Sequence, residues 1–276
     1  MPESKLDQRY TFATAGRIPV LRWPALDATG AVEAVVTTRH GGVSPAPYDS
    51  LNLGLHVGDD AANVVENRSR AASALGLSLD DLVFCVQSHG RAVANVGPAD
   101  RSRGARGDHD AVPATDALVT TDPGTGLVAM VADCVPLVLV DPQARVLSCV
   151  HAGWKGTVAM VAAAAVEAMA ALGAEPGRIV AGVGPAVPPH RYQVGDDVRR
   201  AAEEAFGPRV GQVLRPDGTG RWLFDLWSAN QLVLTGAGVA PSNIHLADVG
   251  TEHEAFFSDR LVRPCGRFAV LARLRP

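Results

Sequence analysis

The chain has 276 residues, enough to bury about three quarters of its unfolded surface without staples. Hydrophobic residues make up 47% and charged residues 20%, which excludes intrinsic disorder as the main state. A net charge of -4 argues against a nucleic-acid or polybasic membrane binder, and four scattered cysteines exclude a disulfide scaffold.

Residues 1–31 read as an N-terminal extension, and they lack the apolar core of a signal peptide. The predicted core runs over 32–274 as one domain. Val32–Thr38 is β-rich and ends in Arg39-His40-Gly41-Gly42, a strand-to-loop signal. Asn63–Leu75 fits a helix stopped by Gly76, and Leu82–Gln87 a short strand. Asp100–Thr115 reads as a mobile surface loop. Leu127–Ala132, Leu137–Val140 and Val146–Val150 are apolar, β-branched strands, the last two joined by an Asp141–Ala144 turn. Alanine content predicts one helix over Thr157–Leu172, too short to span a bilayer. Further along, Ile179–Val183, Trp222–Phe224, Ile244–Ala247 and Phe268–Arg273 read as strands. Asp196–Phe206, with Asp196 as cap, and Asp225–Thr235 read as helices. Strands and helices mix without strict βαβ alternation, which predicts a single α+β domain with mixed sheets. A cytoplasmic protein with reduced thiols is expected.

The absences narrow the chemistry. No dinucleotide fingerprint, P-loop, H-E-x-x-H or zinc-deaminase signature is present. No His-x-His pair occurs among the eight histidines, which disfavours the trinuclear copper of a true laccase.

Three segments remain: Gln87-Ser-His89-Gly90, Ala132-Asp-Cys134-Val-Pro136 and His151-Ala-Gly-Trp-Lys155-Gly-Thr157. Each sets a potential ligand at the end of an apolar strand. If the hairpin turns near Pro142–Ala144, paired residue numbers sum to roughly 286, placing Cys134 opposite about Ala152 and near His151. The pair suits a shared metal or a thiol–imidazole dyad, while two unrelated histidines around a core cysteine is the plain alternative. With His89 added, two His and one Cys leave a fourth position open, the pattern of a catalytic zinc. Cys85, Cys149 and Cys265 read as core.

These segments, with Thr37-Thr-Arg39-His-Gly-Gly-Val-Ser44 and Tyr48–Asp60, closely resemble the YfiH family, also called the polyphenol oxidase or laccase-domain family. Asn67-Arg68, Gly184-Pro185, Tyr192-Gln-Val-Gly195, Phe224-Asp225-Leu226 and Phe256-Phe-Ser258 extend the likeness. The resemblance implies an α/β/β/α sandwich with mixed β-sheets and zinc ligands at His89, Cys134 and His151, which are also the catalytic positions. It implies zinc-dependent phosphorolysis of adenosine, inosine and methylthioadenosine to free base and ribose 1-phosphate, with adenosine deamination also ascribed to the family. Two alternatives stand beside it: a Cys–His hydrolase or editing factor acting on a peptidoglycan precursor, and a copper-dependent polyphenol oxidase, which is disfavoured. The expected partners are a purine nucleoside and phosphate, with neither nucleic acid nor membrane, in a monomer or weak homo-oligomer.

For that reaction Arg39 beside Gly41-Gly42 is the first choice to bind phosphate, with His40 nearby as a further contact. Lys155 is expected to meet an anion at the start of the Thr157 helix. Asp133 is expected near the substrate, orienting a metal ligand, and Trp154 is a candidate to stack a purine. The chain departs from the family pattern at Ser88, around His190, at Gly250 and at Asp259.

Overall fold

The computed structural model describes residues 9–276. The first half of the chain forms β1 (Thr11–Ala15), β2 (Ile18–Arg22), α1 (Pro24–Ala28), β3 (Val32–Thr37), α2 (Ala61–Ser73), β4 (Leu82–Val83), β5 (Val93–Asn95), β6 (Ala117–Thr120) and β7 (Gly126–Val131). There follow β8 (Val135–Asp141), β9 (Val146–Ala152), α3 (Trp154–Val158), α4 (Val161–Ala171), β10 (Val180–Val183), β11 (Gln193–Val194) and α5 (Asp196–Phe206). The chain ends with β12 (Leu214–Pro216), β13 (Trp222–Phe224), α6 (Leu226–Gly236), β14 (Ile244–Leu246) and β15 (Phe268–Leu274).

Two six-stranded sheets carry the fold, in the orders β1-β2-β3-β15-β7-β4 and β14-β10-β8-β9-β6-β5. Both mix parallel and antiparallel pairs. Successive side chains on a strand point to opposite faces, so an apolar strand can serve two cores at once. On β7, Leu127, Ala129 and Val131 enter the core between the sheets, whereas Val128 and Met130 pack toward α2. On β8, Val138 and Val140 enter that same inner core, while Leu137 and Leu139 face the helical layer of α4, α5 and α6. The layers are therefore α2, sheet, sheet and α3–α6, the α/β/β/α sandwich the resemblance implies, with α1 packed into the inner core through Leu26. A small third sheet, β11-β13-β12, caps one end.

Several elements differ from the sequence reading. Of the stretch expected as an extension, residues 1–8 lie outside the described residues, while 9–31 supply β1, β2 and α1, with Ile18, Val20, Leu21, Trp23 and Leu26 buried. Burial of each such side chain is worth about 1.5–3 kcal/mol, which binds the segment into the sheet. The strand expected over Leu82–Gln87 stops at Val83. Beyond it, Phe84 and Val86 exchange backbone hydrogen bonds with Val112, and Thr115 donates to Val86 O. The 100–115 stretch is thus no free surface loop: Ala105, Ala111, Val112 and Thr115 are buried. The fully buried Arg68 guanidinium donates to the carbonyls of Leu53, Gly104 and Ala105. The helix expected over Thr157–Leu172 is broken at Met160, whose φ of 65° separates α3 from α4. Gly195, not Asp196, occupies the N-cap of α5, whereas Asp225 does cap α6 by accepting from Ser228 N.

Candidate metal centre

The chain passes from one sheet to the other between β7 and β8 through only Ala132, Asp133 and Cys134. Val135 pairs with Ala152 and Pro136 with His151, one residue from the expected register. Cys134 therefore stands just beyond the paired strands, diagonal to His151. His89 arrives from the first sheet. The Gln87 side chain accepts from Met130 N (2.8 Å) and donates to Met130 O (2.7 Å), so its amide takes the place of a neighbouring strand on β7 and sets the following residues over the strand ends.

The potential ligand atoms of His89, Cys134 and His151 all lie within 4.8 Å of one another. Their burial is graded: His151 is buried, Cys134 intermediate and His89 exposed, so the cluster opens to solvent on the His89 side. The two imidazoles meet edge to face, 4.7 Å between centroids. A Cβ added to Gly153 would sit 2.9 Å from Cys134 Sγ and 2.9 Å from His89 Cδ2. Real Cβ contacts are not that short, so only glycine leaves this space to the ligands.

Asp116 organises the cluster and was missed by the sequence reading. Its fully buried carboxylate accepts from His151 Nδ1 (2.9 Å) and His89 N (2.9 Å) on one oxygen. The other oxygen accepts from Gly90 N (2.7 Å), Ser88 Oγ (2.9 Å) and Ser88 N (3.2 Å). His151 also donates its backbone N–H to Asp116 O (2.8 Å). A carboxylate at Nδ1 fixes a proton there and turns Nε2 toward the cluster, so that Nε2 offers its lone pair to a metal once it gives up its own proton. The same carboxylate steadies His89, whose φ of 59° lies in the costly left-handed region. The signal available in sequence was Asp116 opening the apolar run Ala117–Thr120, just as Asp133 opens the run after Cys134.

Charge follows this geometry. Burial pushes the Cys134 thiol up, but His151 and His89 outweigh it and bring it down to about 6. Burial pushes His151 down, yet Cys134 and Asp116 raise it to about 9. Asp116 is held well below the usual carboxylate range, because its bonds to His151 and the Ser88–Gly90 turn overcome burial. Burial pushes Cys85 up to about 12 and Cys149 higher still, as inert core thiols require. A thiolate and two imidazoles form a donor set that suits zinc.

The other expected site residues sit farther out. Asp133 does not reach a histidine of the cluster. From a left-handed φ of 88° its carboxylate accepts from Thr251 Oγ1 (2.5 Å), Ser258 Oγ (2.7 Å) and Arg260 N (2.6 Å), tying the 251–260 segment beside Cys134. Arg39 follows β3, two strands from β7, so it stands roughly 10 Å along the same rim from Ala132. Its Nε donates to Asp49 O, its Nη2 pairs with Asp49 Oδ1 at 3.2 Å, and its guanidinium covers the Phe257 ring. His40 is exposed, its N–H donating to Thr38 Oγ1. Lys155 is exposed on the five-residue α3, 5.7 Å above the Trp154 ring; the break at Met160 leaves little helix dipole behind it. An apolar cavity of about 410 Å³ lies elsewhere, between α4 and α6, and contains none of the cluster residues.

Fold and cluster together define a single-domain sandwich protein with a His–Cys–His centre suited to one metal ion. The family model described as multi-copper polyphenol oxidoreductase laccase matches residues 33–275, and the chain belongs to that family. It is 40% identical over 248 residues to the purine nucleoside phosphorylase YlmD of Geobacillus stearothermophilus, covering 87% of this chain and 88% of that one. The crystal structure of that YlmD superposes with a TM-score of 0.90 at 36% identity, covering 96% of this chain and 99% of that one. The Bacillus licheniformis protein YfiH gives the same TM-score at 32% identity and the same coverage. A relative from an unknown prokaryote named adenosine deaminase RL5 is 40% identical over 233 residues, 83% of this chain and 88% of that one. Despite the family's description, none of the other six histidines joins the cluster. Among the described residues no helix is long and apolar enough to cross a membrane.

Proposed function

We propose that the chain is a zinc-dependent purine nucleoside phosphorylase of the cytoplasm, converting adenosine, inosine or methylthioadenosine and phosphate into free base and ribose 1-phosphate. The carrying observation is the convergence of His89, Cys134 and His151 on one point, backed by a buried carboxylate, in a chain whose relatives bear that name. Zinc held there supplies Lewis-acidic charge at the reacting centre. The chain's own groups do the rest. Asp116 fixes the His151 tautomer and the His89 turn, and Asp133 anchors the 251–260 rim. The exposed edge at His89 is where substrate enters. In the reaction an oxygen of hydrogen phosphate bonds to the anomeric carbon as that carbon's bond to the purine nitrogen breaks, and the proton that the phosphate gives up ends on the leaving purine.

The test is incubation of zinc-loaded protein with adenosine and phosphate, followed by chromatography. Adenine and ribose 1-phosphate accumulate, and Cys134→Ala abolishes both. No base release at any metal loading overturns the reading. Adenosine deamination is a second reading, favoured by the relative named for it; it gives inosine without phosphate. A Cys–His hydrolase is a third, favoured by the acidified thiol against His151; its activity would survive chelation. Metal analysis separates zinc from the copper of the family's description, since a His₂Cys set also accepts copper.

A further inference from the structure

The rim beside Cys134 carries several arginines, and most are already paired. Arg39 is paired with Asp49, Arg191 with Glu252, and Arg263 and Arg267 with Asp259. Arg260 differs. Its backbone N–H is fixed by Asp133 Oδ2 at 2.6 Å, next in sequence to Cys134. Its guanidinium lies 5.2 Å from the centroid of Tyr192, and Nη2 donates to Gln193 O at 2.6 Å. No carboxylate pairs with that guanidinium among the described residues, so its remaining N–H groups are available. Arg260 borders a crevice lined by Val187, Thr251, Ser258 and Glu252, the last paired with Arg191; the crevice is too tight to admit a water, so an anion meets the guanidinium at its exposed edge. Tyr192 lies half-buried beneath that guanidinium. The Tyr192 ring in turn stacks on Phe224, 6.3 Å between centroids, which holds this platform in place.

We propose that Arg260, braced on Tyr192 and anchored through Asp133, is the residue that binds the phosphate co-substrate, in place of Arg39. The proposal rests on the phosphorylase reading and adds the anion's position to it. A guanidinium with a free edge offers paired N–H donors to two oxygens of one phosphate, and the aromatic face restricts its swing. Arg39 has already committed Nε and Nη2 to Asp49.

The test compares Arg260→Met, Arg260→Lys and Arg39→Met in the zinc-loaded full chain. Two readouts are used: binding of inorganic phosphate by calorimetry without nucleoside, and separate KM values for phosphate and adenosine. Arg260→Met should weaken phosphate binding and raise the phosphate KM by about tenfold or more, leaving the adenosine KM within about twofold. Arg260→Lys should recover part of the loss, since it restores charge without the fork. An unchanged phosphate KM in Arg260→Met, or a larger effect from Arg39→Met, overturns the proposal. Should the wild type bind phosphate but release no base, and Arg260→Met lose that binding, the anion site stands while the phosphorylase reading falls.

Discussion

Asp116→Asn keeps the shape of the buried side chain and removes its charge. Four N–H groups and one hydroxyl point at this carboxylate, at 2.7–3.2 Å. An amide presents one oxygen. Turned toward His151 and His89, it sets its NH₂ against the Ser88 and Gly90 N–H groups; turned the other way, it loses the His151 bond that fixes the tautomer. Replacing such a partner of a metal-bound histidine lowers metal affinity about 10–100-fold, or roughly 1.4–2.7 kcal/mol. The assay is a zinc competition titration against a chromophoric chelator at neutral pH, with circular dichroism to verify the fold. Linkage supplies a second readout. A carboxylate depressed in the folded state adds stability above its unfolded pKa, and that contribution is lost as pH falls through the folded value. The acid limb of the stability curve should therefore be shallower in Asp116→Asn than in wild type. Zinc affinity and an acid limb both matching wild type would refute the organising role of Asp116.

Three further outcomes are expected. Gly153→Ala should fold but bind zinc at least about tenfold more weakly, because its methyl occupies space between Cys134 and His89; full metal content in the purified variant would contradict this. In the metal-free native protein, alkylation of Cys134 should rise through a pH of about 6 rather than the ordinary thiol value near 9, while Cys85 and Cys149 stay unreactive; peptide mapping by mass spectrometry reads this directly. Arg68→Ala should destabilise the fold by about 3 kcal/mol in urea, since it strips donors from buried carbonyls of the 53 and 104–105 loops, and a change within error of zero would count against that accounting.

The strands β7, β8 and β9 and the hairpin between the last two were legible because apolar, β-branched runs around an Asp-led turn leave little alternative. That hairpin was also enough to bring Cys134 near His151. Position along a strand says nothing of what approaches from another part of the chain, so the Asp116 carboxylate behind both histidines stayed hidden. The 100–115 stretch misled for a related reason. Its charges suggested solvent, yet Arg101 pairs with Asp122 and Arg103 with Asp100, leaving the small apolar residues free to face inward. Alanine content foretold the helix through Ala171 but not its interruption, because the left-handed turn at Met160 has no glycine to announce it.

The Ala132–Cys134 crossing joins the two sheets, and its consequence reaches beyond chemistry. His151 rides on one sheet and the Gln87 clamp fastens His89 to the other, so the distance between ligands measures how the sheets are seated on each other. Close-packed interiors transmit displacement instead of absorbing it. Residues such as Val138 and Cys149, buried between the sheets, thereby act as adjusting shims for the centre. Members of this family can retune the spacing of the cluster by exchanging core side chains of slightly different girth, with His89, Cys134 and His151 left in place.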